Sequence, residues 1–163
     1  MALRKILTSE DSALHKRCRP VTKFDQKLHT LLDDMGETLT AANGVGLAAP
    51  QIGILRRIFV MDTGEEIVEL INPEIIETSG EQDGMEGCLS VPGEWWMVKR
   101  PNVVKARAQD RYGEWFEIEG EDLMARCLCH ENDHLDGHIY TEIAYHKLSD
   151  EEIEAMTSAP EEA

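Results

Sequence analysis

Residues 129–137 read CHENDHLDG, and within them His130, Glu131 and His134 form an HExxH pattern. On a helix, residues four positions apart lie on one face, about one turn from each other. Both imidazoles can therefore reach the same metal ion, while the carboxylate of Glu131 points elsewhere. A pattern this short also occurs in proteins that bind no metal, so its meaning depends on the rest of the chain.

The helix that would carry this pattern is predicted over residues 121–136, with Gly137 in the position after a helix that favours glycine. Six apolar residues occupy its first half: Leu123, Met124, Ala125, Cys127, Leu128 and Cys129. A helix that is apolar nearly all round is buried. The sequence therefore predicts the HExxH pattern inside the protein.

Cys127 shares the helix face of His130 but is poorly placed as a third ligand. It precedes His134 by seven residues, which is about 10 Å along the helix axis. Ligand atoms around one tetrahedral ion lie only about 3.5–4 Å apart. We therefore predict that Cys127 is a thiol of the core and that the third ligand comes from another segment.

Cys18 and Cys88 are the cysteines best placed to supply that ligand. Cys18 lies in a polar stretch, HKRCRP, near the N-terminus. Cys88 lies in MEGCLSVPG, where Gly87 lets the backbone approach closely and Leu89 can anchor the segment in the core. The local sequence favours Cys88 and leaves Cys18 open.

Length and composition predict one soluble domain with a sizeable core. The chain has 163 residues, of which 42% are hydrophobic and 29% charged, as in ordinary globular proteins. It has no apolar run of about eighteen residues and no recognisable signal or transit peptide, so we expect no membrane partner. Its formal net charge of −16 argues against direct binding to nucleic acid, which needs a basic patch.

The remaining pattern predicts an α+β fold with mostly antiparallel strands. Residues 24–42 have helical apolar spacing, with Asp25 as N-cap and Asn43-Gly44 at the end. Residues 44–53 read GVGLAAPQIG, whose glycines predict an extended segment. Short strands are predicted at residues 58–61, 67–71, 74–78, 104–109 and 116–119, the last two forming a hairpin around residues 110–113.

Three segments together resemble the signature motifs of the peptide deformylase family. They are GVGLAAPQ at residues 44–51, EGCLS at residues 86–90, and HENDH followed by LDG at residues 130–137. Their order and approximate spacing match the family, and the resemblance extends from about Leu3 to about Leu148. It implies antiparallel β-sheets wrapped around a central helix that carries the HExxH motif, in agreement with the predicted class.

The resemblance also implies an activity and a cofactor. The family removes the N-formyl group from the N-terminal methionine of newly synthesised bacterial or organellar proteins and releases formate. It uses one divalent metal ion, commonly Fe²⁺, although Zn²⁺, Ni²⁺ or Co²⁺ can occupy the site. Nascent N-formyl-Met polypeptides are therefore the expected partners. Without a transit peptide, the bacterial cytoplasm is the expected location.

Residue roles follow from the matched motifs. By resemblance, the metal ligands are Cys88, His130 and His134. Glu131 is implied as the catalytic carboxylate and Gln51 as a donor to the oxyanion, and the backbone N–H of Leu89 can be a second donor. The residues implied to border the methionine pocket or to pair with the peptide backbone are Gly44, Val45, Gly46, Glu86, Gly87, Leu123, Arg126 and Cys127.

We expect a single catalytic domain over residues 1–148. Residues 149–163, SDEEIEAMTSAPEEA, are expected to be an acidic tail that begins as a helix after Ser149 and is not a separate domain. Some members of the family have a long basic helix there that docks on the ribosome. An acidic tail is repelled by ribosomal RNA, so docking in that manner is not expected here.

Two further positions depart from the family's usual pattern. Cys129 stands where glutamine often precedes the HExxH motif, but it lies outside the ligand face. Trp95 stands where some members carry arginine, so the rim of the site is expected to differ. Of Trp95 and its neighbour Trp96, one is expected to pack inward and the other to be exposed.

Two other classes of protein remain as alternatives. A zinc endopeptidase of the HExxH type would normally take a histidine or glutamate further along the chain as its third ligand. A metal-binding protein without activity should have lost Glu131, Gln51 or a ligand, and none is missing. Hydrolysis of a formyl-Met peptide, compared with an unformylated peptide, separates these alternatives.

Overall fold

A central helix, α2, contacts strands of two antiparallel sheets in the computed structural model, which describes residues 2–158. In chain order the helices and strands are α1 (Gln26–Ala41), β1 (Gly46–Ala48), β2 (Ile58–Asp62), β3 (Ile67–Ser79), β4 (Gln82–Cys88), β5 (Val91–Arg100), β6 (Val103–Gln109), β7 (Trp115–Glu121), α2 (Leu123–Leu135), β8 (His146–Lys147) and α3 (Asp150–Ser158). Short 3-10 turns occur at Ser12–His15, Ala49–Ile52 and Tyr140–Glu142.

The strands form one sheet in the order β1-β2-β3-β6-β7 and a second in the order β4-β5-β8. Neighbouring strands within both sheets are antiparallel. Apolar side chains of α2 form one core cluster with the inner face of the five-stranded sheet. The predicted α+β class is confirmed, with antiparallel sheets wrapped around the helix that carries the HExxH motif.

Strand β2 of the five-stranded sheet is covered on both faces. Successive side chains of a strand point to opposite faces. Ile58 and Val60 belong to the cluster formed with α1, whereas Phe59 and Met61 belong to the cluster formed with α2. All four are buried, and burial of each contributes about 1.5–3 kcal/mol relative to exposure. A strand buried on both faces reads as a continuous apolar run.

Helix α1 is bounded by the residues that the sequence predicts. The Asp25 side chain accepts a hydrogen bond from the N–H of Leu28 at 3.1 Å, which satisfies one of the free N–H groups of the first turn. At the other end, Asn43 has a φ of 54°, and the N–H of Gly44 donates to the carbonyl of Leu39 at 3.2 Å. The helix lies within the predicted residues 24–42.

Helix α2 begins two residues later than predicted, at Leu123. Glu121 still belongs to β7, and Asp122 has a φ of 55°, which turns the chain sharply from strand into helix. Residues 125–131 are all buried, as predicted for a helix without a polar face. Gly137 follows the helix with a φ of 82°, as predicted.

Residues 44–53 are only partly the extended segment that the sequence predicts. Gly46–Ala48 is a strand, but Ala49–Ile52 forms a 3-10 turn. The side-chain oxygen of Gln51 accepts a hydrogen bond from the N–H of Ala48 at 2.8 Å, and this bond stabilises the turn. The sequence prediction missed it because the acceptor is a side chain and not a turn-forming glycine.

Strand β3 unites two strands that the sequence predicts separately at residues 67–71 and 74–78. Asn72, between them, has a φ of 52°, and the pairing with β6 shifts register there. Its side chain both accepts from and donates to the backbone of Val21, at 2.8 and 2.9 Å. The interruption is therefore a bulge within one strand. The predicted hairpin around residues 110–113 is confirmed as β6–β7.

Hairpin β4–β5 is not predicted as a hairpin, although Trp95 and Trp96 on β5 are expected to be strand residues. Its residues do not alternate between polar and apolar types, because the inward-facing Glu86 is charged and buried. Arginine partners compensate that charge: Arg100 and Arg126 both form ion pairs with Glu86, at 2.8 and 2.7 Å. The polar pairing hides the strand pattern that an apolar residue would reveal.

The chain ends, within residues 2–158, in the predicted helix after Ser149. The Ser149 hydroxyl accepts the N–H of Glu152 at 3.1 Å, and the Glu152 carboxylate accepts the N–H of Ser149 at 3.0 Å. This reciprocal cap starts α3. The division into one domain and a tail remains a prediction, and residues 159–163 lie outside the described residues. No helix in the described part of the chain is long and apolar enough to cross a membrane.

We predict that Gly137→Ala lowers the free energy of unfolding by more than about 2 kcal/mol, because it combines a left-handed backbone with a steric clash. A Cβ at this position would lie 2.9 Å from the carbonyl carbon of His15, a backbone atom that cannot move aside. Gly64→Ala is the matched control: Gly64 has a φ of 94°, but nothing lies within 4 Å of its added Cβ. It should cost about 1 kcal/mol. Urea unfolding at a fixed metal concentration measures both, and equal losses would contradict the clash.

Candidate metal centre

Three side chains from distant parts of the chain converge in the interior. Cys88, His130 and His134 each offer one ligand atom, and these atoms lie within 4.8 Å of one another. The Sγ atom of Cys88 is 3.5 Å from Nε2 of His134, and the two imidazole centroids are 5.1 Å apart. Among residues 2–158 no other group of three His, Cys, Asp or Glu side chains comes together in this way.

This set of donors suits a divalent transition metal. One thiolate and two imidazoles are softer ligands than carboxylates. Three protein ligands also leave the fourth tetrahedral position open, as in catalytic sites. Beside them, Oε1 of Glu131 is buried and has no hydrogen-bond donor in the described part of the chain. That acceptor is therefore available to a water molecule.

Cys88 reaches the histidines through an irregularity of hairpin β4–β5. Glu86 pairs with Trp96 in the hairpin, but the register then shifts, and Cys88 pairs with Val91. Such a shift re-aims the side chains that follow it. The thiol at the end of β4 can thus lie beside His134, although that residue is on a different element.

Glu86 holds the ring of His130 in position. Its Oε1 lies 2.7 Å from Nδ1 of His130, while Oε2 accepts hydrogen bonds from Arg100 at 2.8 Å and from Arg126 at 2.7 Å. Burial alone would raise the pKa of Glu86, but the hydrogen bonds from His130 and Arg100 outweigh burial and lower the pKa to about 2. The carboxylate is therefore ionised at neutral pH and leaves Nε2 of His130 for a metal.

The two histidines differ in their affinity for protons. Burial and the neighbouring His130 lower the pKa of His134, which keeps that imidazole neutral. At His130, burial also lowers the pKa, but hydrogen bonds to Cys88 and Glu86 outweigh it and raise the pKa overall. A metal needs deprotonated ligands, so a cation would replace a proton at His130.

The other cysteines do not join this group of ligand atoms. Burial raises the pKa of both Cys18 and Cys129 to about 11. Burial, and then the charge of Glu131, also raises the pKa of Cys127 well above its ordinary value. All three thiols are therefore held in the neutral form, and the structure places none of them in the group formed by Cys88 and the two histidines.

Glu131 is a buried carboxylate next to the candidate ligands. It is 4% exposed, and its Oε2 lies 4.0 Å from Nε2 of His130. Burial raises its pKa to about 7, despite the opposing effect of His130. A Cβ on Gly46 would lie 2.6 Å from Oε2 of Glu131, so only glycine lets the carboxylate lie this close to β1.

Gln51 contacts Cys88 through its side chain. Its side-chain amide nitrogen is 3.6 Å from Sγ of Cys88 and donates to the hydroxyl of Ser90 at 3.0 Å. Gln51 is 1% exposed, and its oxygen is occupied by the N–H of Ala48. One N–H of the amide thus goes to Ser90, and the other is directed toward the candidate ligand.

A segment near the N-terminus, residues 7–9, ties these parts together, and we refer to it as the strap. The N–H of Leu7 donates to the carbonyl of Gln51 at 2.7 Å. The N–H of Ser9 donates to the carbonyl of Ser90 at 2.8 Å. The strap therefore joins the turn that carries Gln51 to the segment that carries Cys88.

A cavity of about 430 Å³ opens beside these residues. It is lined by Gln51, Cys88, Leu89, His130 and Glu131. All eight residues predicted to contact substrate also line it: Gly44, Val45, Gly46, Glu86, Gly87, Leu123, Arg126 and Cys127. All but one of the site residues named from sequence therefore line this cavity. The exception is His134, whose Nε2 lies 3.5 Å from Sγ of Cys88.

The four remaining histidines make other contacts, as their lack of motif context predicts. His15 and His29 lie at backbone carbonyls, of Ser9 and Arg111. His138 and His146 are exposed and lie beside Glu142 and Glu152. Trp95 is exposed and lines the cavity, while Trp96 packs against a core cluster of Leu14, Val91, Val98, Ile139 and Tyr140. The expected difference between the two is confirmed.

Sequence reasoning missed the residues that support the site. Arg100 was not singled out, although it joins Glu86 to Asp133 by ion pairs at 2.8 and 2.7 Å. Ser90 was also not singled out, although it accepts from Gln51. A buried acid needs a cationic partner, so Glu86 implied one. The chain has 16 lysines and arginines, and no spacing rule selects Arg100 among them.

The family model and two sequence relatives that match this chain belong to one family. The family model for polypeptide deformylase matches residues 3–149. A peptide deformylase of Agathobacter rectalis is 61% identical over 142 residues, which are 87% of this chain and 90% of that protein. A peptide deformylase of Caldicellulosiruptor bescii is 52% identical over 158 residues, 97% of this chain and 95% of that protein.

Solved structures agree with the sequence relatives. The crystal structure of peptide deformylase from Thermotoga maritima matches with a TM-score of 0.86 and 42% identity, covering 88% of this chain and 98% of that one. The structure from Legionella pneumophila matches with a TM-score of 0.85 and 40% identity, covering 97% and 99%. With a family match over most of its length and relatives above half identity, the chain belongs to the peptide deformylases, the metal-dependent hydrolases that remove the N-formyl group from new proteins.

Proposed function

We propose that this chain deformylates the N-terminal formylmethionine of nascent polypeptides with one divalent metal ion, held by Cys88, His130 and His134. The observation that carries this assignment is the convergence of these three residues, within 4.8 Å of one another, beside the cavity that Cys88, His130, Glu131 and Gln51 line. A bound divalent cation supplies a water molecule with a pKa lowered toward neutrality. The other tasks of the reaction fall to side chains and backbone groups of the protein.

Glu131 is proposed as the general base and then the general acid. Its pKa of about 7 lets the carboxylate accept a proton from water at neutral pH and return that proton to the leaving amine. Its free Oε1 is the acceptor that this step needs. The absence of a side chain at Gly46 lets the carboxylate lie against β1.

Gln51 and Leu89 are proposed to stabilise the oxyanion that forms on the formyl oxygen. The side-chain oxygen of Gln51 accepts from the N–H of Ala48 at 2.8 Å, and its amide nitrogen lies 3.6 Å from Sγ of Cys88, so the orientation of the amide is fixed before substrate binds. The backbone N–H of Leu89, the residue after Cys88, is the second donor. Preorganised donors of this kind act most strongly on charge that develops in the transition state.

The methionine side chain is proposed to enter the cavity. Cys127, Leu123 and the aliphatic part of Arg126 line it, and an apolar pocket suits a flexible thioether chain. Strands β1 and β4 are both edge strands of their sheets, and Gly46 and Gly87 on them line the same cavity. An extended peptide can pair with such edges as an added strand.

The ion is proposed to be Fe²⁺, with Zn²⁺, Ni²⁺ and Co²⁺ as alternatives that the same ligands accept. A thiolate ligand makes an iron site sensitive to oxidation, so purification without oxygen followed by elemental analysis tests this choice. The proposed setting is the bacterial cytoplasm. We propose no direct contact with nucleic acid, and no docking on the ribosome through the acidic residues after Ser149, which supply no basic helix.

Cys88→Ala should abolish tight metal binding, whereas Cys127→Ala should keep it and lose only packing stability. The reason is that Cys88 lies 3.5 Å from Nε2 of His134, while Cys127 is absent from the group of ligand atoms. Bound metal per chain after dialysis, measured by elemental analysis, decides between them. Equal metal loss in both variants would mean that the ligand is wrongly chosen.

Glu131→Gln should fold and bind metal but release almost no formate, because glutamine keeps the shape and cannot take a proton. The wild-type chain should release formate from formyl-Met-Ala-Ser and leave the peptide bonds of unformylated Met-Ala-Ser intact. Formate detection and peptide mass analysis measure the two reactions. Substantial turnover by Glu131→Gln would assign the proton transfer to another group.

Gln51→Ala should lower turnover about a hundredfold, the effect of one lost oxyanion donor, with unchanged metal content. It also leaves the N–H of Ala48 without its acceptor, so some stability is lost with it. Gln51→Glu is the matched control, since it keeps an oxygen for Ala48 but lacks the amide donor. Turnover, bound metal and thermal unfolding are measured on each preparation. A fully active folded variant of either kind would remove Gln51 from the mechanism.

A further inference from the structure

Trp95 lies at the mouth of the cavity, on the strand next to the one that carries Cys88. It is 39% exposed and lines the cavity together with Gly87. The reaction assigned to the site gives it no role. A large aromatic ring at the entrance of a substrate cleft is a candidate for selecting among substrates.

The indole of Trp95 lies over Gly87, on the face opposite Glu86. A Cβ on Gly87 would lie 2.6 Å from Cζ3 of the ring, so the ring occupies the space of the missing side chain. The carboxylate of the preceding Glu86 points the other way, to His130 and Arg126. Strand β4 therefore has two distinct faces at this point, the interior with the catalytic groups on one and the indole on the other.

The backbone of Trp95 is held from its other side. The N–H of Leu148 donates to the carbonyl of Trp95 at 2.8 Å, and Leu148 is buried. The next residue, Trp96, pairs with Lys147 of β8. Because β8 and Gly87 fix the residue from both sides, the ring is preorganised, and contact with it costs little conformational entropy.

We propose that Trp95 is a specificity-determining residue whose ring contacts the side chain of the second residue of the formylated peptide. This inference rests on the proposed function, in which the peptide pairs with the free edge of β4. Side chains of an extended peptide alternate between faces. If methionine points into the cavity on the Glu86 face, the next side chain points to the face of Gly87 and Trp95.

The chemistry of the ring predicts which second residues are favoured. An indole face attracts aromatic side chains and cations, and the contact with a cation strengthens when water is partly excluded. It offers nothing to a carboxylate, because the face of an aromatic ring carries negative partial charge. Arginine and phenylalanine at position two are therefore preferred over glutamate.

The test compares kcat/KM for formyl-Met-X-Ser peptides with X as Arg, Phe, Gln and Glu. We expect values about three- to fivefold higher for Arg and Phe than for Glu, mainly through KM, because such a contact is made equally before and during the reaction. Trp95→Ala should remove the preference and Trp95→Phe should retain most of it. Trp95→Arg should reverse the order of the Arg and Glu peptides.

Two controls restrict the interpretation. Trp115 is 50% exposed and lies on β7, where it stacks on Arg107, so Trp115→Ala should leave the preference unchanged. The same four residues placed at position three, after alanine, should be insensitive to Trp95, since that side chain returns to the other face. A preference that survives Trp95→Ala, or that depends on Trp95 only at position three, overturns the proposal.

The outcome also distinguishes this inference from the proposed function. Formate release from all four peptides at one rate would overturn the role of Trp95 and leave the deformylase reaction intact. An absence of formate release from every peptide, with metal bound, would overturn the proposed function and the inference that rests on it.

Discussion

The buried carboxylate of Glu86 is the interaction on which the rest of the site depends. It accepts hydrogen bonds from Arg100 and Arg126 and lies 2.7 Å from His130, so one side chain joins β4, β5 and α2. Removal of a charged group from water costs several kcal/mol unless partners compensate it. Here two guanidinium groups do so, and Asp133 balances Arg100 in turn. The three-stranded sheet is thereby fixed to the central helix by polar contacts more than by apolar packing.

This arrangement explains which parts of the structure can be predicted from sequence. Helix α2 and strands β2, β6 and β7 are predicted because apolar periodicity reports directly on burial. Hairpin β4–β5 is not, because Glu86 stands where an apolar residue would mark the inner face. The turn at Ala49–Ile52 is not predicted either, since it depends on the side chain of Gln51. Contacts between distant polar residues leave no periodic pattern in the chain.

In the candidate site, too, local spacing can be read from the sequence, whereas contacts between distant residues cannot. Helix geometry is enough to exclude Cys127 as a ligand of the same metal as His134, because the two lie about 10 Å apart along the helix axis. Only the resemblance to a family decides for Cys88 over Cys18 as the third ligand. It alone also indicates the roles of Gln51 and Glu86, because these residues lie far from His130 in the chain. The Gly46 and Gly87 positions show why glycine recurs in these segments. At each, another side chain, Glu131 or Trp95, occupies the space where a Cβ would be.

The strap has a consequence for the order in which the molecule is completed during synthesis. Residues 7–9 leave the ribosome early, but their partners Gln51 and Ser90 follow later. At about 5–20 residues per second, Ser90 is added roughly 4–16 s after Ser9. The N–H of Ser9 has no Ser90 carbonyl to pair with during that interval, whereas the Gln51 carbonyl that pairs with Leu7 is made earlier. The strap can therefore join the turn that carries Gln51 to the segment that carries Cys88 only after residue 90 has been added.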